Sequence, residues 1–338
     1  MLNIHSQYMK LAIKEAWKYQ LLTYPNPAVG ATVVKNNQVL SVEAHKESGS
    51  SHAEVLALKE AFLIEYPHSE LKNIIDSKEI HEFLALNHNG FFRNCEIYVT
   101  LEPCNHIGKT PACAMLLETI RIQKVYIGTM DPNESASGGY ERLKNANINV
   151  ELNILKEQTD KLLYPFLKYQ SGHFAFFKMA MREDKSITGG YITTQDSLNL
   201  VHNIRTKIDL MVIGGNTVRT DRPTLDSRFS VLKKSSDILI FSSKNNFDKS
   251  IPLFEIPNRK VTISSSLDLV KEKHFVMIEG GYNLFPKITE TIDYMMIFVS
   301  HKIKYNEFNS IEFLGFKKEY SYYLNDYDEV VFLKKIND

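Results

Sequence analysis

The chain is poor in cysteine and tryptophan: three cysteines and one tryptophan in 338 residues. A disulfide-built secreted scaffold is therefore not expected, and a reducing compartment is. Charge of one sign is also lacking. Forty basic residues balance forty acidic ones, so there is no general electrostatic case for a nucleic-acid or membrane partner. No apolar run reaches the length of a membrane span. The first residues, Met1-Leu2-Asn3-Ile4-His5-Ser6-Gln7, lack the charged start and apolar core of a signal peptide, which makes the cytoplasm the expected location. No internal repeat, low-complexity tract or G-x-G-x-x-G fingerprint is visible. What remains is ordinary globular material, 43% hydrophobic and 24% charged, at a length that suggests two domains.

Two of the scarce cysteines fall in one stretch, Pro103-Cys104-Asn105-His106-Ile107-Gly108-Lys109-Thr110-Pro111-Ala112-Cys113. His52-Ala53-Glu54 lies upstream. One imidazole, two thiols and a spare carboxylate make the inventory of a catalytic zinc site, with His52, Cys104 and Cys113 as ligands and a fourth position for water. Zinc acidifies such a water to hydroxide, and Glu54 is placed to move its protons; H-x-E followed by P-C-x-x-C is the pattern of zinc base deaminases. A structural zinc site closed by His106 is the competing reading. Residues 53–62 read as a helix with Val55, Leu58 and Phe62 on one face and Ser50 or Ser51 as cap. Pro111 reads as the start of a second helix, over 112–121, with Cys113 in its first turn. Cys95 falls in the strand-like run 95–101 and reads as a buried free thiol.

The spacing departs from the plain deaminase pattern: eight residues, not two, separate the cysteines. That loop, with His52-Ala53-Glu54 and Tyr24-Pro25-Asn26-Pro27-Ala28-Val29-Gly30, resembles the bifunctional deaminase/reductase family of riboflavin biosynthesis. The resemblance extends, more weakly, over nearly the whole chain. It implies an α/β fold throughout. An N-terminal cytidine-deaminase-like α/β/α layered domain would occupy 1–150, a connector 151–172, and a dihydrofolate-reductase-like α/β domain 173–338.

It also implies a substrate, a pyrimidine carrying an amino group and a phosphoribosylamino arm. Asn26, His45, His106, Lys109, Thr110, Asp131 and Asn133 match the deaminase positions that line it. In the second domain Gly189, Arg205, Leu225, Arg228 and Glu279 fall on reductase substrate positions. Ala180, Tyr191, Thr193, Thr217, Asp221, Ser243, Gly280 and Gly281 fall on positions facing NADPH. Asp221 and Lys178 are candidate proton donors. The resemblance allows a homo-oligomer through the reductase domain. A deaminase of another base or of RNA, with an impaired or non-catalytic second domain, is the alternative, and a zinc-stabilised binding protein a third.

Along the chain, helices are expected at 6–20, 140–146, 156–168 (with a kink at Pro165), 196–206 and 284–291. Strands are expected at 29–34, 39–44, 95–101, 124–129, 148–152, 174–180, 210–213, 238–241, 261–263, 275–278 and 294–299, and a final hairpin over 319–335. The charged segment 66–93 is longer than the family carries there and reads as a surface insertion, with a substrate lid as the minor alternative. The family's S-x-D-G-K is Arg182-Glu183-Asp184-Lys185-Ser186 here, and the loop that follows is short.

Overall fold

The computed structural model describes residues 3–106, 108, 110–302 and 312–336. The chain divides into two compact units, Met1–Phe166 and Leu167–Asp338. The division falls inside one helix, Lys156–Gln170, within the expected connector 151–172. The first half of that helix is held by the first unit, through Gln20 Nε2 donating to Leu162 O at 2.8 Å and Thr129 Oγ1 against Thr159 Oγ1 at 2.7 Å. Pro165 lies within the helix. No helix among the described residues is long and apolar enough to cross a membrane.

The first unit is built on a five-stranded sheet of order β2-β1-β3-β4-β5, with β1 Gly30–Lys35, β2 Gln38–Ala44, β3 Cys95–Leu101, β4 Lys124–Thr129 and β5 Asn149–Glu151. The pairs β1–β2 and β1–β3 are antiparallel, whereas β3–β4 and β4–β5 are parallel. Helix α1 (Ile4–Trp17) buries Met9, Ala12, Ile13, Ala16 and Trp17 at helical spacing. It packs so closely on β1 that a Cβ at Gly30 would lie 2.0 Å from Ala12 O, so glycine is required there. Helices α2 (Ala53–Glu65), α3 (Ser77–Asn87), α4 (Cys113–Thr119) and α5 (Gly139–Asn145) complete the unit, followed by α6 (Lys156–Gln170).

Segment 66–93 differs from its sequence reading. It is no surface appendage, because Leu71, Ile80, Leu84, Phe91 and Phe92 belong to the same buried apolar cluster as Cys104 and Cys113. Asp76 caps α3 by accepting from Lys78 N and Glu79 N. The spacing of Ser77, Ile80, His81 and Leu84 turns one face of the helix inward.

The second unit holds an eight-stranded sheet of order β12-β13-β11-β6-β10-β7-β8-β9. Its strands are β6 Phe174–Arg182, β7 Leu210–Gly214, β8 Asp237–Phe241, β9 Val261–Ser264, β10 Phe275–Glu279, β11 Tyr294–Ser300, β12 Phe316–Tyr323 and β13 Asp328–Lys335. From β11 to β9 every pair is parallel; β13 runs antiparallel to β11 and to β12. Helix α7 is Gln195–Arg205, and α8 (Gly215–Asp221), which no periodic pattern announces, follows β7 directly. The helix expected at 284–291 is only a short 3₁₀ turn, Phe285–Lys287. Pro286 biases the residue before it away from helix, and Ile288 leaves helical geometry at φ −121°.

Candidate active site

The first site forms where two chain segments meet at the ends of α2 and α4. His52 is the residue before α2, in extended conformation, with no side-chain cap. The serines expected as caps do not serve: Ser51 instead turns its carbonyl to His45 Nδ1, 3.1 Å away. Cys104 lies in the loop after β3. Cys113 is the first residue of α4, with Ala112 rather than Pro111 at the boundary. His52 Nδ1 faces both sulfurs, at 3.5 Å from Cys104 and 3.4 Å from Cys113. The other ring nitrogen, Nε2, meets Thr110 Oγ1 at 3.4 Å. With Nε2–H donating to that hydroxyl, Nδ1 is left for a metal. The three donor atoms lie within 4.8 Å of one another, the one such group of His, Cys, Asp or Glu among the described residues. One imidazole and two thiolates converging with no fourth protein ligand in the group fit zinc in an open site.

Electrostatics agree with that donor set. Cys104 is drawn toward thiolate, first by the bond from the Cys113 thiol and then by His52, against the effect of burial. Cys113 is raised because it carries the proton the two sulfurs share, and because it is buried. Glu54, two residues along and 4% exposed, is pushed up to about 7, chiefly by burial. Cys95 is buried and pushed up to about 11, an inert thiol as expected.

Of the predicted substrate residues, Asn26, His45 and Thr110 gather round His52. The His45 ring sits 5.4 Å from that of His52, edge-on. Because His45 Nδ1 points at a carbonyl, it carries the proton, and Nε2 accepts from Asn26 Nδ2 at 3.1 Å. Burial keeps this ring neutral, lowering its value to about 4. Asp131 is half-buried, and burial raises its carboxyl, with Glu102 and Cys104 adding to the effect. Asn133 turns its side-chain oxygen to Ser135 N and Oγ, within its own turn. His106 is exposed. Lys109 lies outside the described residues.

Sequence reasoning missed Glu102. This buried carboxylate accepts from Asp131 N at 3.2 Å, Gly138 N at 3.0 Å and Tyr140 N at 2.9 Å. It ties the Cys104 loop to the Asp131 loop and to the start of α5. Gly139 closes the same seam: a Cβ there would stand 1.8 Å from Pro103 O. An acid between an apolar strand and Pro103-Cys104 was the available signal.

The second site lies at the carboxyl ends of the parallel strands in the other unit, the usual ligand edge of such sheets. Glu279, the last residue of β10, pairs in register with Lys178 of β6 and Ile213 of β7. Its carboxylate is held by Lys178 Nζ and by Arg205 Nη2, each at 2.9 Å. Burial pushes this carboxyl up, but the Lys178 and Arg205 cations outweigh it and hold it down at about 2. Gly214 ends β7 and Gly215 follows it; Gly280-Gly281 and Ser243 follow the ends of β10 and β8. Ala180 shares the face of Lys178, at period two on β6.

Other predicted residues take more varied places. Arg228 is exposed and paired with Asp226 at 2.9 Å. Leu225 stands at φ +54°, and its carbonyl accepts from Arg259 Nη2. Gly189 O accepts from Arg182 Nη2 at 3.3 Å. Tyr191, Asp221 and Ser243 are exposed, and Thr193 and Thr217 half-buried. Arg259 and Asp328 escaped the sequence reading. Arg259 Nη1 also donates to Thr224 O at 2.9 Å and Nε to Ser236 O at 3.1 Å. Asp328 Oδ2 accepts from Thr194 N, Thr194 Oγ1 and Ser197 Oγ at 2.6–2.7 Å, fixing the chain just after Thr193. Lys185 holds a left-handed conformation at φ +67°.

Comparison with known proteins shows the family. Residues 2–129 match the model of the cytidine and deoxycytidylate deaminase zinc-binding region. The riboflavin biosynthesis protein RibD of Aquifex aeolicus is 31% identical over 296 residues, covering 83% of this chain and 76% of the relative. The chain belongs to the RibD family. RibD of Escherichia coli is 27% identical over 84% of the chain and 72% of the relative. The solved deaminase/reductase of Thermotoga maritima covers 98% of this chain and 99% of its own, at 25% identity and a TM-score of 0.63. An RibD structure from Acinetobacter baumannii, 24% identical with a TM-score of 0.62, shares the fold over both whole chains.

Proposed function

We propose that the first unit deaminates 2,5-diamino-6-ribosylamino-4(3H)-pyrimidinone 5′-phosphate and that the second reduces the ribosyl chain of the product to ribityl with NADPH. The chain is a bifunctional deaminase and reductase of riboflavin biosynthesis. The observation that carries the reading is His52 Nδ1 facing Cys104 and Cys113, with the buried Glu54 beside them. His52, Cys104 and Cys113 would hold one zinc ion, which supplies Lewis acidity toward the attacking water. Glu54 takes a proton from that water and returns it to the departing ammonia. A buried carboxyl raised to about 7 is poised for both transfers near neutral pH. Asn26 is oriented by His45, so its carbonyl oxygen is presented to an exocyclic amino group. Thr110 Oγ1 is placed to accept from His52 Nε2–H, the tautomer whose Nδ1 faces the metal. Asp131 borders the same site, and His106, Lys109 and Asn133 remain candidates for the base and phosphate ends.

In the second unit NADPH supplies the hydride. Gly280, Gly281, Ala180, Thr217 and Ser243 lie on or beside the strand ends that would receive it, with Tyr191, Thr193 and Asp221 on flanking segments. Glu279, ionised at neutral pH, accepts from ribosyl hydroxyls rather than donating. Arg205 and Arg228 suit the phosphate of the substrate arm. Of the two candidate proton donors, Lys178 stands beside Glu279, whereas Asp221 is exposed at the end of α8. A cytoplasmic, reducing setting suits two metal thiolates and the unpaired Cys95.

Glu54→Gln tests the assignment. The variant should keep its zinc, lose ammonia release by about 10²-fold or more, and still oxidise NADPH when given the deaminated substrate. Ammonia release at the parent rate would overturn the role of Glu54 and leave the zinc structural.

A further inference from the structure

Segment 66–93 carries a histidine to the back of the second ligand loop. His81 lies on the inner face of α3 and is 4% exposed. Its Nε2 is 3.3 Å from Ala112 O. A buried polar ring is costly unless it is hydrogen-bonded, and an apolar side chain at this inward position would carry no such cost. The ring therefore does something packing alone does not require.

What it holds is a single peptide group. Ala112 C=O and Cys113 N–H belong to one planar unit and point opposite ways. The carbonyl end accepts from His81 Nε2 and from Leu116 N, both at 3.3 Å. The amide end, Cys113 N–H, donates to Cys104 Sγ at 3.4 Å. The same residue sends its own sulfur to His52 Nδ1. Fixing one end of this peptide thus aims both a donor at one predicted metal ligand and the side chain of another. Groups that orient ligands and donate to thiolates govern how tightly a metal is kept.

We propose that His81 is a positioning residue for the deaminase metal site, acting through the Ala112–Cys113 peptide, and that segment 66–93 is the buttress that delivers it. The proposal rests on the zinc reading above. The segment is then neither a lid nor an appendage. It braces the second ligand loop from behind, with Lys59 Nζ anchoring it to α2 through Ile74 O at 2.6 Å.

The test uses the full-length zinc-loaded chain with His81→Phe, which keeps a ring but cannot donate, and His81→Gln, which restores an N–H at about the same reach. Zinc loss to a chromogenic chelator and the thiolate-to-metal charge-transfer band of the cobalt-substituted protein are measured. His81→Phe should lose zinc about 10-fold faster and shift the band, and His81→Gln should stay within about twofold of the parent. A folded His81→Phe with the parent's rate and spectrum overturns the proposal. So does a His81→Gln as impaired as His81→Phe, which would make the role one of packing. Should His81→Phe not fold, His81→Met is read by the same criteria. A parent that binds no zinc at all would sink the zinc reading, and this proposal with it; zinc bound equally by parent and variants sinks only the proposal.

Discussion

Replacing Glu102 by glutamine should damage the deaminase unit far more than the change of one atom suggests. Oε1 accepts two backbone N–H groups, from Gly138 and Tyr140, and Oε2 a third, from Asp131. Hydrogen bonds to a charged group contribute roughly 1.5–3 kcal/mol each, neutral ones about 0.5–1.5. A glutamine can present its oxygen to Gly138 and Tyr140, weakening two bonds. Its NH₂ then meets the Asp131 N–H, donor against donor, and the third bond is lost. The sum is about 3.5–6 kcal/mol. The single tryptophan, Trp17, is buried in α1 of the same unit and serves as reporter. Urea unfolding followed by its fluorescence should show the lowered midpoint, with deaminase kcat/KM falling in parallel and NADPH oxidation on deaminated substrate unaffected. An unfolding free energy within ~0.5 kcal/mol of the parent, the ordinary range for surface changes, would refute the reasoning.

Two further outcomes are expected in the second unit. Lys185→Gly should raise stability by about 0.5–1 kcal/mol, because a side chain at φ +67° is disfavoured and glycine is not; calorimetry reading a lower melting temperature would contradict this. Burial, aided by the Arg205 cation, lowers His202 to about 4. The unfolded chain, with its histidine near 6.5, binds more protons between those values, so stability is full above about pH 6.5 and falls as pH drops toward 4. The loss is about 2 kcal/mol, and His202→Asn should flatten that part of the pH profile in calorimetric melts while parent-like steepness would assign it to another group.

The parts of this molecule legible in its sequence are those where chemistry forces residue types into fixed spacing. The convergence of His52, Cys104 and Cys113, with Glu54 buried two residues along, was legible because H-x-E and the paired cysteines are a restricted choice of residue types. Strands such as Phe174–Arg182 and Tyr294–Ser300 were readable because buried parallel strands are continuous apolar runs. The groups that escaped act through backbone partners far along the chain. Asp328 reaches Thr194, Arg259 reaches Leu225, and Glu102 reaches Tyr140. Such bonds impose no period and no motif on either partner. Segment 66–93 was misread because its charge density outweighed the inward face of Ile80, His81 and Leu84, which only the structure sets against α4. The Phe285–Lys287 turn was over-extended into a helix because apolar spacing was given more weight than Pro286.

The central claim is that one chain performs both half-reactions. Purified protein loaded with zinc is given the diaminopyrimidine ribosyl phosphate, and ammonia release is followed. NADPH is then added, and its absorbance is recorded. The account predicts ammonia first, then NADPH oxidation in equal amount. Ammonia without NADPH oxidation would contradict the reductase assignment of the Lys178, Arg205 and Glu279 edge. Neither signal, with zinc confirmed in the protein, would contradict the account as a whole.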